Sequence, residues 1–236
     1  AMVESLDGAV GRVLQTLEQE GLADRTLIVF TSDNGGRITK DTTSNAPLKY
    51  GKASAYEGGV RVPLIVRWPG VTKPDSIIDD PVISMDLFRT ILEACDIPVP
   101  ESETKTGRPG CDGLSLVPLL SNKPWTGHEE LFWHYPHHQH YQRGGTMPYS
   151  AIRSGHLKLI EFLDDLHTEL YDLRTDISES KDLAADQPDT VARLRDRLHA
   201  WRIEVGAQMP RLNPGYKPDR PQYDPGRPQP PAGQQP

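Results

Sequence analysis

The segment Thr26-Leu27-Ile28-Val29-Phe30-Thr31 runs without a break into Ser32-Asp33-Asn34-Gly35-Gly36, and this junction constrains the fold more than any other stretch. A β-branched, apolar run without polar alternation predicts a strand buried on both faces, as in a parallel sheet covered by helices. Before it, Met2 to Glu20 carries Val3, Leu6, Val10, Val13, Leu14 and Leu17 on one stripe, with Gly21 placed to end a helix. Helix, short loop and buried strand together open an α/β pattern.

Ser32 to Gly59 is polar, glycine-rich and without periodicity, and so long a loop in a compact domain points to function. Val60 to Trp68 is the next strand candidate, with Pro63 indicating an edge or a bulge. Ser84 can cap a helix with Leu87, Phe88, Ile91 and Leu92 on its buried side. Beyond a polar stretch around residues 101–110, four short strand candidates follow: Leu131–Tyr135, Tyr149–Arg153, Leu157–Leu163 and Glu169–Leu173. Ser154-Gly155 fits a hairpin turn between two of them, so a small antiparallel sheet is expected. A helix from about Pro188 to Val205 aligns Val191, Leu194, Leu198 and Trp201.

Composition sets limits on partners. Nine of the 22 prolines lie between Pro210 and Pro236, and that tail is expected to be extended or disordered. The net charge of -7, with no clustered Lys/Arg face, argues against nucleic acid. No apolar run is long enough to span a bilayer, and because residue 1 leads directly into helical sequence no signal peptide is expected within these residues. Cys95 and Cys111 have no metal-type spacing; they could pair, but two thiols do not identify a redox compartment.

Three segments carry candidate chemistry. Asp33 and Asn34 follow a strand, where open α/β sheets place ligands, and their oxygens suit a hard cation; the same residues also suit a plain turn. Lys52, among Gly51, Ala53 and Ser54, could approach an anion as a point charge, or simply be solvated. Phe132-Trp133-His134-Tyr135-Pro136-His137-His138-Gln139-His140 groups four histidines with aromatics but fits no zinc spacing. Glu57 and Arg61 are expected to fix loop geometry, Arg153 and Lys158 to face solvent from the sheet, and Trp133 and Trp201 to pack. The charges between Leu194 and Arg202 are expected on the wet face of the last helix.

Taken in order, Thr31-Ser32-Asp33-Asn34-Gly35, Gly51-Lys52, Glu57-Gly58-Gly59-Val60-Arg61-Val62-Pro63 and Trp68-Pro69-Gly70 resemble the type I, formylglycine-dependent sulfatases. The resemblance continues through Asp86–Leu92, Asp112–Leu120, Ala151-Ile152-Arg153, Lys158-Leu159-Ile160 and Glu169–Leu173. It implies the C-terminal portion of an alkaline-phosphatase-like α/β domain over residues 1–122. A small antiparallel-sheet α+β subdomain over 123–207 and a proline-rich tail over 208–236 would follow. It further implies Asp33 and Asn34 as ligands of Ca²⁺ (Mg²⁺ being the other candidate), Lys52 as a sulfate contact, and hydrolysis of a sulfate ester to inorganic sulfate. His134 and His137 would line the substrate cleft, taking a sulfated small molecule or sugar.

The family's nucleophile motif, Cys-x-Pro-Ser-Arg, is matched by neither Cys95-Asp96-Ile97-Pro98 nor Cys111-Asp112-Gly113-Leu114. Formylglycine and the remaining metal ligands are therefore expected upstream, and these 236 residues alone are expected to be inactive. Exported sulfatases are common, so a periplasmic or secreted location is the expectation. A phosphodiesterase or phosphonate hydrolase of the same superfamily, or a non-catalytic sulfated-glycan-binding relative, are the alternatives.

Overall fold

The computed structural model describes residues 2–38, 43–99, 111–138 and 147–211. In chain order these form α1 (Met2–Gln19), β1 (Ile28–Thr31), α2 (Glu57–Val60), β2 (Leu64–Arg67), α3 (Asp86–Ala94) and α4 (Val117–Leu120). They continue with β3 (Glu130–Tyr135), β4 (Tyr149–Ser154), β5 (Leu157–Phe162), β6 (Thr168–Asp172) and α5 (Pro188–Glu204). The expected polar stretch around 101–110, His140 and most of the proline-rich tail lie outside the described residues. No helix among the described residues is long and apolar enough to cross a membrane. Two compact units emerge, Ala1–Asp33 with Val62–Glu129, and Asn34–Arg61 with Glu130–Pro236.

In the first unit α1 ends as expected at Gly21, whose φ of 64° is the left-handed conformation that stops a helix. Its apolar stripe is only partly covered: Val3, Leu6 and Val13 are exposed, while Val10 and Leu17 are half-buried. Strand β1 departs from the sequence expectation. It pairs antiparallel with β2, Ile28 opposite Arg67 and Thr31 opposite Leu64, and Ile28, Val29 and Phe30 are half-buried rather than enclosed on both faces. Pro63 sits just before β2, where its missing N–H costs no ladder bond.

Helix α3 also turns a different face inward than expected. Phe88 and Ile91 are about half exposed, whereas Asp86 and Thr90 are buried. The reason is backbone hydrogen bonding. The Asp86 carboxylate accepts the N–H of Ile83 (2.9 Å) and of Leu114 (2.8 Å), and lies 2.8 Å from His128 Nε2. Thr90 donates to the Asp86 carbonyl and accepts the Leu116 N–H at 2.8 Å. Polar side chains are buried here because they satisfy loop groups that no helix or strand partners. Cys95 and Cys111 are both free thiols.

The second unit is built on a four-stranded antiparallel meander in the order β3-β4-β5-β6. Gly155, at φ 59°, makes the tight β4–β5 turn, and Ser154 pairs with Leu157. Both faces of this sheet are covered. On one face Ile152, Leu159 and Leu170 pack against Leu194 and Leu198 of α5, and Trp201 stacks on Phe132 at 4.7 Å. On the other, Ala151, Ile160, Phe162 and Tyr171 pack with Ala55 and Tyr56 from the glycine-rich loop. Strand alternation sorts the side chains between these layers.

Leu198 is fully buried between α5 and the sheet while Ile203, on the same helix, is 82% exposed. Leu198→Ala is expected to destabilise this unit by about 2–5 kcal/mol in denaturant titration, and Ile203→Ala to change it by no more than about 0.5 kcal/mol.

Candidate functional site

The loop from Asn34 to Arg61 carries two of the candidate residues, and glycine contacts define its shape. The Gly35 N–H donates to the Gly59 carbonyl (2.9 Å), and the Lys52 N–H donates to the Gly36 carbonyl (3.1 Å). Asn45 reinforces the crossing by donating from Nδ2 to the carbonyls of Gly36 (2.8 Å) and Tyr50 (3.0 Å). Backbones approach so closely that a Cβ on Gly35 would lie 1.7 Å from the Gly58 oxygen, and one on Gly51 2.2 Å from the Gly36 oxygen. Glycine is obligatory at both positions, next to Asn34 and next to Lys52.

Lys52 sits between two residues in an unusual conformation. Tyr50 (φ 54°) and Ala53 (φ 72°) on either side are non-glycine residues in the left-handed region. Each costs on the order of 1–3 kcal/mol, and such strain persists only where surrounding contacts over-determine it. The Lys52 side chain is exposed and Asn34 is half-buried. Asp33, which ends the first segment of the first unit, is exposed two residues after β1.

The contacts that hold the loop come from the meander and from the segment after β6. Lys158, expected to face solvent, is fully buried. Its ammonium lies 2.8 Å from Glu57 Oε1 and 2.9 Å from Glu179 Oε1, with the Trp133 ring at 6.0 Å. The expectation fails because the loop itself covers this face of the sheet. Glu179 Oε2 accepts the Glu57 N–H at 2.6 Å, and Arg61 approaches the Glu57 carboxylate at 3.7 Å. Lys49 donates to the Tyr171 hydroxyl (2.9 Å) and the Glu179 carbonyl (3.1 Å), and its ammonium lies 4.3 Å from the centre of the Tyr56 ring. Tyr56 and Tyr171 both donate to Glu169 Oε2 at 2.7 Å; burial and that carboxylate push both phenols well above their ordinary range. Glu57 thus fixes loop geometry as expected. Arg153 is half-buried, and burial lowers its guanidinium from the ordinary value.

On the opposite face, Glu161 is fully buried and contacted by Arg195 Nε (2.5 Å), Arg202 Nη1 (2.8 Å) and His199 Nε2 (3.0 Å). Only 10% of the Arg202 side chain is exposed, so this part of α5 is not its wet face. Burial alone would raise the Glu161 carboxyl, but hydrogen bonds from His199 and Arg195 and the charge of Arg202 hold it below its ordinary value.

The two candidate histidines are separated by strand alternation. His134 lies on the α5 face, its Nδ1 2.8 Å from Ser150 Oγ and its Nε2 2.8 Å from the Gln208 carbonyl. The structure does not bring it to the face that carries the Lys52 loop. His137 has an exposed ring set edge-on to Tyr135 at 5.3 Å, and Tyr135 packs on the loop-facing side. Among the described residues no three His, Cys, Asp or Glu side chains converge as a metal shell. Lys49 and Glu179 carried no signal of a supporting role, and Lys158 stood out only within a stretch of the family resemblance; their partners, far away in sequence, reveal what they hold.

Against known proteins, the family model described as Sulfatase matches residues 1–97. A sulfatase of Formosa agariphila is 35% identical over 228 residues, covering 88% of this chain and 40% of that protein. A solved structure in complex with its substrate D-glucosamine-2-N,6-O-disulfate superposes with a TM-score of 0.67 at 26% identity, over 88% of this chain and 40% of the other. A phosphonate monoester hydrolase from Silicibacter pomeroyi gives a TM-score of 0.60 at 26% identity, over 84% and 39%. The chain spans about two-fifths of the length of each of these proteins, and over that portion it has their alkaline-phosphatase-like fold.

Lys158→Ala leaves two carboxylates buried beside each other and is expected to cost about 3–5 kcal/mol of stability in denaturant titration. Glu161 gives an acid-side test. Because its folded value is depressed, its contribution is present above the ordinary value of 4.5 and lost as pH falls through the folded value. Glu161→Gln is therefore expected to lower stability at neutral pH and flatten its decline below about pH 4.5. Glu179, raised mainly by burial, acts in the opposite sense and remains in that variant as an internal contrast.

Proposed function

Since this chain belongs to the sulfatase family, we propose that it supplies Asp33, Asn34 and Lys52 to a site that hydrolyses a sulfate ester and releases inorganic sulfate. The observation that carries this reading is the strained, glycine-locked loop that ties the Lys52 backbone to Gly36, two residues from Asn34. A lysine whose backbone is fixed in this way presents its positive charge from a set position when charge grows on the sulfuryl oxygens. The Asp33 carboxylate and the Asn34 amide oxygen, consecutive after β1, are donors suited to Ca²⁺ or Mg²⁺. Such a cation, when bound, would polarise the sulfuryl group. Asp33 and Asn34 would orient it, and Lys52 would bind the ester oxygens.

The formylglycine expected by this reading belongs to sequence outside these residues, since neither Cys95 nor Cys111 lies in a suitable motif. For the organic part of the substrate, a sulfated sugar or other small sulfate ester, His137 is the better placed of the two histidines, because its ring is exposed whereas both nitrogens of His134 have internal partners. The expected location is the periplasm or outside the cell. A phosphonate-ester hydrolase is the second reading, favoured by the likeness to the Silicibacter enzyme.

Turnover of parallel sulfate and phosphonate esters by the full-length protein distinguishes the two. We expect sulfate esters to be preferred, Lys52→Ala to lower kcat/KM by about 10²–10³-fold, and chelation to abolish turnover until Ca²⁺ is returned. Unchanged kcat/KM in both Asn34→Ala and Lys52→Ala would remove these residues from the site, and binding of sulfated glycan without any turnover would favour a non-catalytic relative.

A further inference from the structure

Glu179 lies in a segment that the proposed reaction does not use. It is fully buried and follows β6 by a short loop, in the left-handed conformation at φ 50°. That loop is clasped by Asp176, whose Oδ2 accepts the N–H of Ser180 (2.8 Å) and Lys181 (2.9 Å) and whose Oδ1 accepts the hydroxyls of Ser178 and Ser180. Asp182 extends the anchorage by accepting the Leu170 N–H of β6 at 2.9 Å. A strained backbone, pinned on both sides, directs one carboxylate into the interior.

Glu179 there meets the Lys52 loop directly at two points and through Lys158 of β5 at a third. Its Oε2 takes the Glu57 N–H, its Oε1 pairs with Lys158, which in turn holds Glu57 Oε1, and its backbone carbonyl takes the Lys49 ammonium. Glu57 and Lys49 flank Lys52, with five residues to one side and three to the other. Between them the loop carries its two left-handed residues, Tyr50 and Ala53. The Gly58 N–H, donated to the Lys49 carbonyl at 3.0 Å, closes the loop between these two attachments. Both ends of the strained segment therefore terminate on the same residue.

We infer that Glu179 is a positioning residue for the anion-binding loop, acting through Glu57 and Lys49 to hold the strained segment around Lys52, with Tyr50 and Ala53 left-handed, in place. The inference rests on the proposed sulfate-contact role of Lys52, and it deepens that role by naming what maintains it. Glu179 does not touch substrate. Its removal frees one charge-assisted hydrogen bond to the loop, unbalances Lys158, and lets Tyr50 and Ala53 relax toward ordinary backbone conformations.

The test is amide hydrogen exchange on the full-length protein, read at the Lys52 and Gly58 N–H groups, with α5 interior amides as the reference, together with sulfate-ester turnover. In Glu179→Ala we expect the loop amides to lose about 10-fold or more of their protection while the α5 amides stay as in the parent protein. Turnover is expected to fall by about 10–100-fold, the range seen when a supporting partner of a site residue is removed. Glu179→Gln keeps an acceptor for the Glu57 N–H, so it should recover part of both losses. If Glu179→Ala does not fold, Glu179→Gln and Lys49→Met, each removing one tie, carry the same comparison. Unchanged loop protection would overturn the inference, as would loop and α5 amides weakening in parallel, which would make Glu179 a general stabiliser. Exchange and turnover separate the two readings: if Lys52→Ala leaves turnover intact the sulfatase site fails, while the exchange data still decide what Glu179 holds.

Discussion

The buried ammonium of Lys158 is the interaction on which the rest of the second unit depends. An unpaired charge in that position would cost several kcal/mol, so its two carboxylate partners are requirements of the fold. Each partner comes from a different part of the chain: Glu57 from the glycine-rich loop, Glu179 from the segment after β6. One ion cluster thus joins three segments that have no backbone continuity. Three residues further along β5, Glu161 does the same on the other face, gathering Arg195, His199 and Arg202 of α5. A single strand therefore fastens both layers that cover the sheet, and it does so with opposite charges on opposite faces.

Much of this arrangement was legible in the residues. The four short strands, the Gly155 turn, the α5 stripe and the importance of the glycine-dense loop all followed from local chemistry, because turn residues and periodicities act over a few positions. What was not legible depends on partners far away. Lys158 alternates with apolar neighbours and looks like the wet position of a half-covered strand. Alternation identifies a face but not what lies over it, and the cover here comes from residues 101 positions earlier. Helix α3 misled for a related reason. Phe88 and Ile91 appeared to be its buried side, yet Asp86 and Thr90 are drawn in by the unpaired backbone of Leu114 and Leu116. The β1 run suggested enclosure in a parallel sheet, whereas its described neighbour is the antiparallel β2.

The candidate site divides along the same line. Asp33, Asn34 and Lys52 stand out because they sit in compact, ordered motifs. Lys49 and Glu179 do not, since Glu57 and Glu179 are 122 residues apart and no spacing rule connects them. His134 illustrates the limit of a residue-type argument: histidines beside aromatics looked equivalent, but the two-residue period of β3 turns His134 toward Ser150 and Gln208.

The split origin of the second unit also has a kinetic meaning. The meander is three successive hairpins, whose contacts are close in sequence and quick to form. The loop of Asn34–Arg61 can reach that sheet only by closing a long stretch of intervening chain, which raises the entropic barrier to its arrival. Folding should therefore complete the platform first and dock the lysine-bearing loop last, with Lys158 waiting on a bare strand until Glu57 reaches it. Until that late step the molecule would hold its architecture with the face of the sheet that carries Lys158 still uncovered.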